Sequence, residues 1–483
     1  MVTQKGNQRN NVLNGTDEND RLLGLGGNDT LRGRAGNDRL EGGKGNDKIA
    51  GNQGSDRVIW KEGDGSDVID GGQDDGGQDT DSLEINYLGN VTLGQEGGKA
   101  IFERAGRQAF RLTTDGLEQF DVKGGQSKDR LVVGDLSATD VTLVTFSGGD
   151  GNDTLDGSKT GISLVVKGGA GQDRLTSGSG SDTISSGRGT DSVRSGAGSD
   201  RIIWNEGDGN DLIDAGADID VVEENFSGNT VLQLGSGGKV SFGRTGAKPF
   251  TMTIDNAEQF EINGAASNDS LTVGALTGSD VTLVTFSGGA GNDVLNASAT
   301  STALIANGGA GADTLIGGIG TIVGANGAIT GDRLTGGADR DQFRFAIDPF
   351  AGNPSTQNLN RPDVITDYQI GQDQIAFASQ PFEINALKLQ AGNSATLAGD
   401  SNLLVLTNAF ANAAAAAQAI ANNNSLTAGK GIFVYFNSTL GFSRVVYSTD
   451  LANGGAFSVL ANLTSQTSLT NHATFSATDF GLV

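Results

Sequence analysis

The chain has 483 residues, with 77 glycines, 5 prolines, no cysteine and a formal net charge of −25. The missing thiols exclude disulfides and thiolate metal sites, and the low proline content excludes collagen and proline-rich linkers. An acidic surface repels phosphates, so nucleic acid is a poor partner, whereas solvent and cations both suit it.

Hydrophobic residues make up 36% of the chain, low for one deep core but too regularly placed for a disordered chain. Thin repeated layers are the better expectation. No apolar run reaches the ~18 residues of a membrane span. The start, Met1 to Gly6, lacks the apolar segment of a cleavable secretory signal, so any export signal is expected elsewhere.

Residues 1–79 run on a nine-residue step. Glycines fall at Gly6, Gly15, Gly24, Gly33, Gly42 and Gly51. Asp20, Asp29, Asp38, Asp47 and Asp56 keep the same step, with Asn11 in the first slot, as do Leu13, Leu22, Leu31, Leu40, Ile49 and Val58. A second glycine series, Gly27, Gly36, Gly45 and Gly54, is broken at Glu18. One full unit is Gly42-Gly43-Lys44-Gly45-Asn46-Asp47-Lys48-Ile49-Ala50. Its glycine half reads as a turn needing positive φ and close backbone approach. Its second half reads as a short strand with one inward apolar side chain. Turn plus strand, repeated, predicts an all-β solenoid.

Residues 80–147 have fewer glycines, and Phe110-Arg111-Leu112 and Phe120-Asp121-Val122 alternate as half-buried strands do. They are expected to continue the solenoid. Residues 148–216 form a second array with Asp153, Asp173, Asp182, Asp191 and Asp200, and with Gly171, Gly180, Gly189 and Gly198. Residues 217–287 copy the first spacer. The 54–60 segment recurs at 198–204, each followed by Glu-Gly-Asp-Gly-x-Asp ending at Asp67 and Asp211, and 141–147 recurs at 281–287. The offset falls from 144 to 140, which places a four-residue length difference inside the spacer. A third array, 288–345, carries Asp293 and Asp313, but Ile322 stands where the next aspartate belongs, so a site there is expected to be lost.

Residues 346–483 read as a small α+β domain that folds with little metal and caps the open end of the solenoid. A helix is predicted over Asn408 to Ala421, capped by Asn422-Asn423-Asn424, with strands at 432–436 and 443–448.

If two nonapeptides make one coil, residues i and i+18 stack on one edge. Stacked strands are ~4.7–4.9 Å apart, and two oxygens across a Ca²⁺ are ~4.6–5.2 Å apart. Asp29 with Asp47, Asp38 with Asp56, and Asp173 with Asp191 would then share ions, with carbonyls of the glycine turns completing the shell. Oxygen ligands with no cysteine and a single histidine favour Ca²⁺ over zinc or copper. Without metal, stacked carboxylates repel, and the arrays are expected to be loose.

Other candidates have plainer readings. Trp60 and Trp204 are expected to pack where the turn lengthens rather than to stack sugars. His472, the only histidine, is expected at the surface; one histidine permits no H-E-x-x-H, and no G-x-S-x-G is present. The uncharged stretch 315–329 is expected to be a metal-free coil. The reading is a non-enzymatic protein; a secreted hydrolase or a toxin is the alternative.

These repeats resemble the haemolysin-type (RTX) calcium-binding repeat, G-G-x-G-x-D-x-U-x. The match is looser at Asn11, Glu18, Asp20, Asp67, Asp211, Asp339 and Asp341. The resemblance implies a right-handed parallel β-roll binding several Ca²⁺ ions. It also implies type I export through an ATP-binding-cassette channel, an uncleaved C-terminal signal, and folding on calcium outside the cell, with surface or matrix polymers as further partners. Asp363-Val364-Ile365-Thr366-Asp367-Tyr368-Gln369-Ile370-Gly371-Gln372-Asp373-Gln374-Ile375 is similar to the segment that closes such arrays. Ala477 to Val483 resembles a type I signal, and the tail from about residue 430 resembles those of cyanobacterial RTX proteins.

Overall fold

A computed structural model describes residues 1–72, 79–106, 108–246, 248–323, 329–350 and 361–483. The chain divides into two compact units, Met1–Glu223 with Phe250–Glu258, and Glu224–Pro249 with Gln259–Val483.

In the first unit, alternate nonapeptides enter two parallel sheets. Arg21 pairs with Arg39 and Arg39 with Arg57, and Leu22 stacks on Leu40 and Val58. In the other sheet Leu13, Leu31, Ile49 and Ile69 align. The step between paired residues is 18, so two repeats make one coil. One apolar side chain per strand points inward, and these leucines, isoleucines and valines form the core, with Leu22, Leu31 and Leu40 fully buried. Most outward neighbours are charged, polar or small, with Val12 and Val68 exposed among them, and buried and outward positions alternate as in a strand buried on one face. The protein is thus an all-β parallel β-roll.

The first spacer keeps this winding and adds an excursion. Ser82–Asn86 pairs with Gln119–Lys123, which pairs with Leu143–Asp150, all in parallel. Between them Asn90–Glu96 and Lys99–Arg104 form an antiparallel hairpin, and Lys99–Arg104 pairs antiparallel with Phe110–Asp115. Aromatic packing pins it: the Trp60 and Phe110 ring centroids lie 4.4 Å apart, and Phe102 and Phe110 5.7 Å apart. Trp60 Nε1 donates to the Gly65 carbonyl at 3.2 Å, and Trp204 repeats the arrangement with Gly209 and Phe250. Both tryptophans are buried, as packing at the longer turn requires. The length difference between the two copies arises in one coil before the spacer rather than within it: Asp56 to Asp81 spans 25 residues and Asp200 to Asp220 spans 20, while the spacer of the second copy is one residue longer.

The second unit continues with coils of its own, from Gln259–Asn263 through Leu283–Ala290, Ala303–Ala310 and Arg333–Ala338 to Asp363–Ile365. The tail joins these sheets directly. Phe457–Leu463 pairs in parallel with Asp363–Ile365, and Phe480–Leu482 with Gln374–Phe377. Beyond them Phe442–Ser448, Gly431–Asn437, Leu403–Phe410 and Leu389–Gly392 extend the sheet, covered by the helix Ala413–Ala421.

Three expectations are corrected here. The helix begins at Ala413, where the Asn412 side chain accepts the Ala415 amide at 2.9 Å. Residues 403–410 are a strand instead, because Leu403, Leu404, Val405 and Leu406 are all fully buried in a sheet covered on both faces. Only the start of the stretch 315–329 lies in a coil, Leu315 pairing with Leu295 and Phe343; further on Ile322–Val323 pairs antiparallel with Ile329–Thr330, and residues 324–328 lie outside the described residues. Finally, His472 is fully buried. Its Nε2 donates to the Leu406 carbonyl at 3.0 Å, so Nδ1 accepts from Ser443 Oγ at 2.8 Å. Among the described residues no helix is long and apolar enough to cross a membrane.

Candidate metal centre

Each repeat aspartate is the residue just before an inner strand, so strand register fixes its side chain at the turn. The Asp20 amide donates to Asp38 Oδ1 at 2.6 Å and the Asp38 amide to Asp56 Oδ1 at 2.7 Å, while the Asp20 carbonyl accepts from the Arg39 amide. On the other edge the amides of Asn11, Asp29 and Asp47 donate in turn to Asp29, Asp47 and Asp67. Asp153, Asp173, Asp191 and Asp211 form a further column, and Asp182 and Asp200 another. In the second unit the Asp293 amide donates to Asp313 at 2.8 Å. All of these aspartates are at most 3% exposed. The expected pairs do stack, but an amide separates each carboxylate from the next rather than leaving the carboxylates face to face.

The glycines explain the closeness of the coils. Gly45 has φ of +144° and a Cβ there would lie 1.9 Å from the Gly27 carbonyl oxygen. Gly27, Gly36, Gly54, Gly171, Gly189 and Gly198 are also left-handed. Gly180 is not; it is required by approach alone, a Cβ meeting the Ile162 carbonyl at 2.4 Å.

The second oxygen of the carboxylates is the chemically telling one. Oδ2 of Asp29, Asp38, Asp47, Asp56, Asp153, Asp173, Asp191, Asp200, Asp293 and Asp313 is buried without a hydrogen-bond donor. Burying an anionic oxygen unpaired is costly unless a cation meets it. These oxygens face a cradle: a Cβ built on Gly33 would sit 2.2 Å from Asp38 Oδ2 and 2.7 Å from the Gly51 carbonyl of the next coil, and one on Gly308 2.2 Å from Asp313 Oδ2 and 2.6 Å from the Gly336 carbonyl. Carboxylate and carbonyl oxygens converging on a space closed to any side chain fit a hard cation such as Ca²⁺. Among the described residues no three His, Cys, Asp or Glu side chains cluster around one metal position, so backbone carbonyls would supply much of the shell.

The electrostatics agree. Burial, reinforced by neighbouring aspartates and opposed by the donated amide, pushes Asp38, Asp47, Asp153, Asp200, Asp211 and Asp313 up to about 6. The same causes take Asp191 to about 7 and Asp56 and Asp67 to about 8. Burial also raises Asp173, Asp182 and Asp293. Asp20 is lowered instead, by the amides of Thr16 and Val2.

Several members of the ladder escape a search by period. The Asp56 amide donates to Asp81, whose own amide donates to Glu118; Asp200 leads likewise to Asp220 and Glu258. Asp129 precedes Asp153, and Asp269 precedes Asp293. The position thought lost at Ile322 is filled by Asp332, which accepts from Leu304 and donates its own amide to Asp363, the inserted hairpin having displaced the aspartate along the sequence. Asp313 leads on to Asp341 and Asp373. A counter-running ladder uses the residue before each aspartate: the Asn28, Asn46, Asn37 and Ser55 amides donate to Asn10, Asn28, Asn19 and Asn37. The recurring Asn-Asp pair was its signal in the sequence.

A family model described as the RTX calcium-binding nonapeptide repeat (4 copies) matches residues 5–40, 23–58, 145–159, 167–202, 285–300 and 305–321. No curated protein matches the chain at a significant level.

Proposed function

From the premise that this chain carries haemolysin-type RTX calcium-binding repeats, we propose that it is an extracellular, non-catalytic structural or cell-surface protein whose roll folds when several Ca²⁺ ions fill the turns after export. The observation that carries this reading is the set of buried Oδ2 atoms with no donor, of which those of Asp29, Asp38, Asp56, Asp153, Asp293 and Asp313 share a cradle with a glycine carbonyl of the next coil. The ligands would be Asp20, Asp29, Asp38, Asp47, Asp56, Asp67, Asp153, Asp173, Asp182, Asp191, Asp200, Asp211, Asp293 and Asp313, with carbonyls of the glycine turns. Bound Ca²⁺ supplies the positive charge that the packed carboxylates lack; the residues supply the rigid spacing.

The division into arrays 1–79, 148–216 and 288–345, spacers 80–147 and 217–287, and tail 346–483 belongs to this proposal. So does export through a type I ATP-binding-cassette channel read from the C-terminal residues, with surface or matrix polymers as partners outside. If each site binds near ~10⁻⁴ M, as weak extracellular modules do, then ~1 mM Ca²⁺ adds roughly 1.4 kcal/mol per site. Titration of the chelated chain followed by circular dichroism tests the reading. A coil-to-β transition at sub-millimolar to millimolar Ca²⁺ supports it, and arrays fully ordered in excess chelator overturn it.

A further inference from the structure

Within the second unit a cavity of about 270 Å³ opens beside the glycine-rich segment Gly317–Gly320 and the strand Phe457–Leu463. Phe345, Val459 and Leu460 give it apolar walls, and two arginines, Arg344 and Arg361, line it. Arg344 Nε is buried without a hydrogen-bond partner, and among the described residues no ion pair joins either guanidinium to a carboxylate. Some arginines elsewhere on this acidic chain are paired with carboxylates, Arg57 with Glu84, Arg104 with Glu62 and Arg111 with Glu103. The carboxyl groups that share the wall are engaged with backbone amides, Asp363 with that of Asp332 and Asp348 with that of Phe350, each at 2.9 Å. Residues 351–360, next in sequence to the cavity wall, contain no acidic side chain.

A hollow with an apolar body and unanswered guanidinium groups selects an anion with a hydrocarbon part. The planar fork of arginine matches a carboxylate, which it can bind through two parallel hydrogen bonds, and apolar walls with a few placed polar groups are the usual build of a small-molecule site. We propose that this cavity binds a small organic carboxylate, its charged end on Arg344 and Arg361 and its hydrocarbon body against Phe345, Val459 and Leu460. The cavity wall shares Asp363 with the aspartate ladder, but the proposal does not rest on the proposed role outside the cell.

Calorimetric titration of the full, calcium-loaded chain with octanoate tests this, with 1-octanol as the uncharged match. Saturable octanoate binding at one site is expected, with 1-octanol weaker by about tenfold or more, a gap of about 1.4 kcal/mol. Arg344→Gln and Arg361→Gln should each weaken octanoate by about tenfold and leave 1-octanol unchanged. Arg361 is exposed, so its substitution leaves the fold intact and keeps the test valid if the Arg344 variant misfolds. No octanoate binding, equal binding of the alcohol, or octanoate binding that survives Arg361→Gln overturns the proposal.

Discussion

Asp38 carries the logic of the ladder in one side chain: Oδ1 accepts the Asp20 amide at 2.6 Å and Oδ2 has no donor. Asparagine keeps the acceptor and removes the charge, as Asn11 does in the first coil, where its Oδ1 accepts the Asn7 amide at 2.7 Å. Asp38→Asn should therefore raise the Ca²⁺ concentration at the folding midpoint yet stabilise the chelated chain at pH 8. Asp38→Ala also strands the Asp20 amide, and should cost about 1–3 kcal/mol in calcium-saturated melts. The raised carboxyls set a pH dependence as well. Their folded values of about 6 to 8 stand above the ordinary 3.8, so between these limits the metal-free fold binds more protons than the unfolded chain. Their contribution is full below about pH 4 and is lost as pH rises through 6 to 8. Chelated arrays should melt higher at pH 4.5 than at pH 8, and Ca²⁺ uptake should release protons.

At the level of elements, the tail should respond to acid in the opposite sense. Burial pulls His472 down to about 4 from an ordinary 6.5, so its contribution is present above 6.5 and lost as pH falls through 4. In chelator, lowering the pH from 8 to 5 should raise the melting temperature of the arrays and lower that of the tail, which near- and far-ultraviolet dichroism can separate. Phe433 lies fully buried in the tail core with Leu404, Val446 and Ile420. Phe433→Ala should cost about 3–5 kcal/mol in the tail transition and leave the calcium midpoint unchanged. This tail was only partly legible in the sequence. Its aromatic strands stood out, but the Leu403–Phe410 strand was hidden because an alanine-rich helix follows it almost at once. His472 was misplaced because a lone polar residue among Thr, Asn and Ala gives no sign that a buried carbonyl and hydroxyl await it. In the arrays the nine-residue step revealed the strand register and the aspartates together, since one covalent period sets both. It missed Asp81, Asp129, Asp220, Asp269 and Asp332 because coils of 20 to 28 residues obscure the period while the strands still meet in register.

At the scale of the whole molecule, the C-terminal residues are built into a sheet of the second unit. The last strand, Phe480–Leu482, pairs with Gln374–Phe377, and the buried Asp479 accepts the Gly371 amide. A segment proposed as an export signal is therefore folded into the roll, and a channel could read it only before folding. Removing residues 477–483 should abolish export and, in the purified protein, speed amide exchange across Gln374–Phe377, as hydrogen–deuterium exchange can measure. On the proposed export route, Ca²⁺ kept below the folding midpoint on the producing side would keep that segment available.

The uneven spacing of the ladder has a practical side. Paired rungs are separated by 18, 20, 24, 25, 28, 31 or 32 residues, yet in each of these pairs the later aspartate takes the amide of the earlier one. The outer loops can therefore carry cargo. A foreign peptide grafted between two rungs, at the coil from Asp56 to Asp81 for instance, would be displayed at a height chosen simply by counting turns along the roll.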